Sequence, residues 1–181
     1  MFQNVVLIGN IFGTIGALIF IITSILKNKK QIVFIQSFAH FCLIISEAIS
    51  NLFASIVQEI VCLIRNYTII KDKNGKTINI ILIIASFVFG VFVNIITKPE
   101  GSPWYGPLNG YLGVIATVQF SIVVLVSNSI IKIKISQGIS GLLWGLNFLL
   151  ATPSLVLTAI INFINCALSF IFIPFAIRKS K

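Results

Sequence analysis

The chain contains very little charge. Only 9% of its 181 residues are charged, with four acidic residues and one histidine, whereas 57% are hydrophobic. A soluble domain carries roughly a quarter charged residues, so this composition excludes a water-exposed surface and predicts an integral membrane protein. The net charge of +9 does not predict nucleic-acid binding, because the positive residues form short clusters between apolar runs, as topology signals do.

The chain also lacks the motifs of enzymes and metal sites. Cys42, Cys62 and Cys166 lie inside apolar runs without paired or ligand-like spacing, which favours reduced packing residues over disulfides or zinc. There is no metal-binding helix motif, no glycine-rich phosphate loop and no nucleophile with a base other than His40. The N-terminal "MFQNVV" lacks the basic region of a signal peptide. We therefore expect no enzymatic activity, no cofactor and no metal.

Long hydrophobic runs are abundant. A helix needs about 20 apolar residues to cross a bilayer, and seven such runs are present. They cover approximately residues 4–26, 31–50, 52–70, 77–96, 106–127, 130–149 and 153–175. The weakest boundaries are the short junctions after the second and the sixth run. Pro153 supports the second of these junctions, because proline suits the first turn of a helix.

The distribution of positive charge predicts the orientation. With the N-terminus outside, the inner segments are "KNKK", "KDKNGK", "IKIK" and the tail "RKSK", which hold eleven of the thirteen Lys and Arg residues. The positive-inside rule is then obeyed at every charged loop except the outer one with Lys98. Trp104 and Tyr105 in that outer loop are typical of an interfacial aromatic belt. We expect a multi-pass membrane protein with the N-terminus outside and the C-terminus on the inner side.

An internal repeat is indicated by a constant offset of 100 residues between spans 1–3 and spans 5–7. Gly13 aligns with Gly113 and Phe20 with Phe120, while Glu47 aligns with Asn147. An odd connecting span gives both halves the same orientation, as in parallel-repeat transporters. The predicted fold is an all-α membrane protein, a single domain over 1–181. Two three-helix bundles (4–70 and 106–175) flank a lipid-facing linker helix (77–96).

The run 8–66 has a glycine-bearing first helix, a "KNKK" loop, an early glutamine in span 2 and an "IRN" end, and the second half contains "LTAIINFINCA". In these features the chain resembles the YgjV-like family of bacterial inner-membrane proteins. The resemblance implies a location in the bacterial cytoplasmic (inner) membrane, with the C-terminus cytoplasmic. The 3+1+3 pattern also looks like that of SWEET-type sugar transporters. That resemblance implies solute contacts for Trp144 on span 6 and Asn162 on span 7. The first half departs from the pattern, because span 2 has no tryptophan and Cys62 is paired with Asn162.

Span 2 carries one polar stripe. At about 100° per residue, Gln36, His40 and Glu47 lie on the same side of the helix, and Asn51 extends it. Histidine is the side chain best suited to change protonation near neutral pH, so this stripe is interpreted as a solute or proton pathway. Two alternatives stay open: hydrogen bonding to neighbouring helices, and a position of Glu47 at the outer interface.

Span 3 adds a second polar surface. Gln58 and Arg65 share one face, and Glu59 lies near the middle of the span, where an unpaired carboxylate is least tolerable. His40 lies at similar depth on the neighbouring antiparallel helix, so we expect the two to interact. The alternative for Arg65 is that it reaches the inner headgroups.

The second half supplies further candidates. Asn162 and Asn165 lie on one stripe of span 7, while Gln137 and Trp144 share a face of span 6. Polar residues and glycines in such positions also serve helix packing. Trp144, near mid-depth, is the better candidate for stacking against a ring-shaped solute.

The sequence therefore favours a carrier of an unidentified small polar solute. The pathway residues would be His40, Glu47, Glu59, Trp144, Asn162 and Asn165, with Gln36, Gln58, Arg65 and Gln137 as secondary candidates. The competing interpretation is a non-transporting membrane subunit or binding partner of a larger complex. The expected partners are the lipid bilayer and the solute, with a homo-oligomer left open and nucleic acid excluded.

Overall fold

The computed structural model describes residues 2–73, 75–98, 100–101, 104, 107–151 and 155–174, with backbone alone for 2–6. These residues form seven α-helices and no strand. The helices are α1 (Phe2–Ile25), α2 (Lys29–Ile49), α3 (Phe53–Ile70), α4 (Lys76–Ile96), α5 (Leu108–Val126), α6 (Ile130–Leu150) and α7 (Val156–Ile171). The predicted all-α fold is confirmed. Pro153, Tyr105 and the basic tail lie outside the described residues.

Five of the seven helices, α1 to α5, are long and apolar enough to cross a membrane. Helix α6 is of similar length but is not among these five. Helix α7 is apolar but has only 16 residues. The outer surface carries large apolar side chains such as Phe41, Ile81 and Phe89, each more than half exposed. Such a surface belongs against lipid rather than water.

Polar caps fix the ends of α2. Its N-cap, Asn28, accepts hydrogen bonds from the backbone N–H groups of Lys30 and Gln31, which satisfies two donors that a helix start leaves free. At the other end Asn51 adopts a positive φ of 56°, and the N–H of Leu52 donates to the carbonyl of Glu47 (2.9 Å). This is a left-handed helix termination, which asparagine tolerates. The prediction that Asn51 extends the polar stripe is wrong, because Asn51 is exposed in the turn.

The helices form a ring. Contacts join α1 to α2, α2 to α3, α3 to α5, α5 to α6, α6 to α7 and α7 back to α1, while α4 packs outside against α3 and α5. One stripe of α4 faces the ring, through Leu82, Ser86, Gly90 and Asn94. The rest of α4 is largely exposed.

Two apolar layers lie toward the two ends of the ring. The first contains Ile32, Ile69, Val124 and Ile133, near the helix ends that join the basic loops. The second contains Leu43, Phe148, Leu155 and Ala159, toward the α2–α3 and α6–α7 turns. Polar side chains are concentrated between the two layers, so the interior is more polar than the surface.

Candidate functional site

A small, partly open cavity lies in the middle of the ring. Its volume is about 40 Å³, and α1, α2, α3, α5, α6 and α7 all contribute side chains to its wall. Eight of the ten residues predicted from the sequence line it: Gln36, His40, Glu59, Arg65, Gln137, Trp144, Asn162 and Asn165. The two exceptions are Glu47 and Gln58, which lie outside the lining.

His40 and Glu59 meet in the cavity wall. Nδ1 of His40 contacts Oε2 of Glu59, and both side chains are almost completely buried. The predicted interaction is therefore confirmed. The imidazole also meets the ring of Phe20 edge-on, at 5.2 Å between centroids, while its Nε2 has no hydrogen-bond partner. The pair therefore joins α2 to α3 within the cavity wall.

Arg65 is fully buried, so the alternative in which it reaches the headgroups is wrong. Its Nε and Nη2 donate to Oδ1 of Asn66 (3.1 and 2.8 Å), and Nη1 donates to Oγ of Ser121 (3.0 Å). The guanidinium carbon lies 5.0 Å from the centre of the Phe120 ring, a favourable cation–π position. These partners hold the guanidinium at the cavity wall without neutralising it.

A hydrogen-bond network connects the two halves of the chain on the opposite wall. Ser24 Oγ donates to Oδ1 of Asn165 (2.7 Å), and Gln137 Nε2 donates to Oγ1 of Thr23 (2.6 Å). Lys134 Nζ donates to the carbonyl of Ser24. Asn165 and Gln137 therefore join α1 to α7 and α6 besides lining the cavity.

Lys134 lies inside helix α6 and not in the loop where the sequence predicts it. The sequence assigns "IKIK" to an inner loop, but α6 begins at Ile130, and Lys134 is only 1% exposed. The fourth residue of that motif points into the bundle because α6 is amphipathic there, whereas Lys132 stays exposed.

Trp144 and Asn162 form another part of the wall. The Trp144 ring stacks on Phe148, at 5.5 Å and 25° between planes. Asn162 Nδ2 donates to the carbonyl of Thr158, one turn earlier in its own helix (2.9 Å). A Cβ added at Gly141 would lie 3.0 Å from the carbonyl oxygen of Asn162. Gly141 thus lets α6 and α7 approach closely and sets the depth of the cavity.

Glu47 is buried beyond one end of the cavity. Its side chain is 0% exposed, and neither carboxyl oxygen has a hydrogen-bond partner. The position one hundred residues later, Asn147, donates to Ser55 Oγ on α3 (3.2 Å). By the same offset, the partner expected for Glu47 is residue 155. That residue is Leu155, which has no hydroxyl group to offer the carboxylate. The alternative that places Glu47 at the outer interface is wrong.

Gln58 faces α4 instead of the cavity. Its Nε2 donates to the carbonyl of Ser86 (2.9 Å), and the hydroxyl of Ser86 donates to its Oε1 (2.6 Å). Gly90 leaves the space that the Gln58 amide fills. This reciprocal pair attaches the linker helix to α3, which is a structural role.

Sequence reasoning missed several lining residues. Thr117, Ser140 and Phe120 line the cavity but were not selected as site residues. The repeat offset carried a usable signal, because Phe120 aligns with Phe20 and Ser140 with His40. Thr117 has no aligned polar partner, and no pattern in the sequence distinguishes it from a packing residue.

Within the described residues, no group of three or more His, Cys, Asp or Glu side chains could hold a metal ion. The site instead offers one guanidinium, one histidine–carboxylate pair, several amides and an aromatic wall. Such a set can bind a small polar solute. No protein-family profile, curated protein or solved structure matches the chain, so the likeness to YgjV-like proteins stays a hypothesis based on the motifs quoted above.

Proposed function

We propose that the protein is a carrier that moves a small polar solute across the bacterial cytoplasmic membrane by alternating access. The observation that carries this proposal is the cavity at the centre of the helix ring, which six of the seven helices line. One apolar layer lies on each side of it along the bundle. An alternating-access carrier needs such an arrangement, because parting one layer at a time opens the central site to one side of the membrane.

The halves α1–α3 and α5–α7 would be two three-helix bundles related as parallel repeats. The pattern of helix contacts supports this relation, because the α3–α5 interface becomes the α7–α1 interface when the halves are exchanged. Four pairs of residues separated by one hundred positions line the cavity together. They are Phe20 and Phe120, His40 and Ser140, Cys62 and Asn162, and Arg65 and Asn165.

The volume of the cavity bears on how the helices would move to admit a solute. A volume of about 40 Å³ holds a few water molecules. The site would therefore widen to admit a larger solute, and the apolar layers are the parts that would separate. Rocking of one half against the other would part the layer at one end and compress the layer at the other. Helix α4, attached by the Gln58–Ser86 pair, would link the halves.

Solute uptake into proteoliposomes tests the proposal. The purified chain is reconstituted and incubated with a mixture of glucose, alanine, lactate and glycine betaine, and the entrapped solutes are measured by mass spectrometry. We expect at least one solute to enter faster than into protein-free liposomes. The rate should fall with Asn162→Ala, and it should be unchanged with Asn128→Ala, which removes an exposed amide outside the cavity.

The competing function is a non-transporting subunit of a larger membrane complex. It predicts uptake equal to that of protein-free liposomes for every solute in the mixture, and the same result for both variants. That result would contradict the carrier proposal.

A further inference from the structure

Arg65 brings a positive charge into the interior that no acidic side chain neutralises. Its described partners, Asn66 and Ser121, are neutral oxygen acceptors. A guanidinium stays protonated in proteins, and a buried charge without a counter-ion costs several kcal/mol. The Asn66 and Ser121 oxygens and the Phe120 ring stabilise this charge in part, and a negatively charged ligand would add to them.

The acidic residues of the chain are all accounted for. The four are Glu47, Glu59, Asp72 and Glu100. Asp72 contacts Lys30 at the surface, and Glu59 contacts His40. Glu47 has no hydrogen-bond partner, and Glu100 is exposed in the connection between α4 and α5. No carboxylate of the chain forms an ion pair with Arg65 in the part that the structure describes.

Two residues of the same wall also have polar atoms without partners. Both amide atoms of Gln36 and Nε2 of His40 are buried and lack hydrogen-bond partners, and both residues line the cavity with Arg65. Gln36 is 1% exposed and therefore unable to use bulk water. Buried polar groups are normally satisfied, so these atoms leave hydrogen-bonding capacity for a solute that enters as the cavity widens.

We infer that the cavity binds a small organic monocarboxylate, with the Arg65 guanidinium as its counter-ion. This inference rests on the proposed function, because it takes the cavity as the solute site. Arginine matches a carboxylate with paired, charge-assisted hydrogen bonds. The Gln36 amide donates a further hydrogen bond, and the apolar part of the solute packs against Phe20 and Trp144. Arg65 is the one Lys or Arg side chain in the described lining, which corresponds to a single carboxylate group on the solute.

The size of the cavity limits the solute further. Space for a few water molecules matches a carboxylate group with a very short chain. The shortest monocarboxylates therefore require the least widening of the cavity, whereas longer ones require more. Affinity is expected to fall as the chain is lengthened.

Trp144 supplies the reporter for a binding test that does not depend on transport. The chain has two tryptophans, so Trp104→Phe leaves Trp144 in the cavity wall as the only one. The protein in detergent is titrated with acetate, propionate and butyrate, and with acetamide and propionamide as neutral isosteres. Sodium chloride at equal ionic strength serves as the salt control.

We expect a saturable change in Trp144 fluorescence with acetate or propionate. The affinity should exceed that for the matching amide by about tenfold or more, since a charged acceptor is lost in the amide. Arg65→Gln should remove the preference, and Arg65→Lys should retain part of it. Lys132→Gln, which removes an exposed charge of the same sign, should leave it unchanged.

A second measurement avoids dependence on variants that fail to fold. In the otherwise unaltered chain, acetate should raise the unfolding temperature and acetamide should not, because only a ligand of the folded state stabilises it. Equal effects of acid and amide, or no saturable effect of any carboxylate, would overturn the inference.

The outcomes also separate this inference from the proposed function. Carboxylate binding without uptake of any solute would overturn the carrier proposal and leave the anion site in place. Uptake of glucose or glycine betaine together with no carboxylate binding would overturn the anion site and leave the carrier.

Discussion

Nδ1 of His40 on α2 and Oε2 of Glu59 on α3 are joined in the wall of the central cavity, with side-chain exposures of 6% and 1%. This pair places the only histidine of the chain against one of its four acidic side chains. In an apolar interior such groups are tolerated mainly as partners. The pair therefore fixes α2 against α3 at the depth of the cavity.

Breaking this pair should be strongly destabilising. His40→Ala leaves the Glu59 carboxylate buried without its partner, which costs about 3–5 kcal/mol of unfolding free energy. Glu59→Gln keeps a hydrogen-bond acceptor for the imidazole and should cost less. Unfolding in mixed detergent micelles measures both.

The surface pair of Lys30 and Asp72 (2.6 Å) provides the control. Asp72→Asn should change the unfolding free energy by about 1 kcal/mol or less, because exposed ion pairs contribute little. A His40→Ala effect as small as that of Asp72→Asn would contradict the account of the buried pair.

The two buried glutamates should respond oppositely to the same substitution. Glu47 has no partner for either carboxyl oxygen, so Glu47→Gln removes a group that is expensive to bury as an anion. The unfolding free energy at pH 8 should rise by about 1 kcal/mol or more, whereas Glu59→Gln should lower it. If Glu47→Gln destabilises as much as Glu59→Gln, then Glu47 has a stabilising partner and its description is wrong.

Gly141 is expected to tolerate no side chain. A Cβ there would lie 3.0 Å from the Asn162 carbonyl oxygen and 3.2 Å from the Cys166 nitrogen, and these backbone atoms cannot rotate away. Gly141→Ala should therefore lower the unfolding free energy by about 1–3 kcal/mol. The adjacent Leu142 is exposed on the outer surface, and Leu142→Ala should have a smaller effect. Equal effects of the two substitutions would show that α6 and α7 are not in close contact at Gly141.

The orientation in the membrane can be tested by cysteine labelling. In a background with the three native cysteines replaced, Glu100→Cys lies in the connection predicted outside and Lys73→Cys in a basic loop predicted inside. An impermeant thiol reagent applied to intact cells should label Glu100→Cys at once and Lys73→Cys only after permeabilisation. The reverse pattern would overturn the predicted orientation.

The sequence predicts the helices well because hydrophobic runs and basic loops are local signals. The seven expected runs coincide with the seven helices within a few residues at each boundary. The depth of Glu59 and His40 along their helices was also sufficient to predict their contact, since two adjacent antiparallel helices place equal depths side by side.

The direction of individual side chains was harder to predict. Helical periodicity groups Gln58 with Arg65 on one face, yet Gln58 contacts α4 and Arg65 lines the cavity. The difference depends on α4 packing against α3, which is a tertiary contact that no local pattern records. Lys134 was misplaced for a related reason, because a positive charge near a helix end indicates a loop unless the packing of α6 is known.

The reactivity of Cys62 tests alternating access most directly. Cys62 lines the cavity, and Cys42→Ser with Cys166→Ala makes it the only cysteine. Val33→Cys in the layer near the basic loops and Ala159→Cys in the opposite layer, each in a background without other cysteines, are the matched positions. An impermeant thiol reagent is applied to right-side-out and to inside-out vesicles.

Alternating access predicts that Cys62 reacts from both sides. It also predicts that Val33→Cys reacts only from the cytoplasmic side and Ala159→Cys only from the outer side. Reaction of Cys62 from one side alone, or from neither, would contradict it.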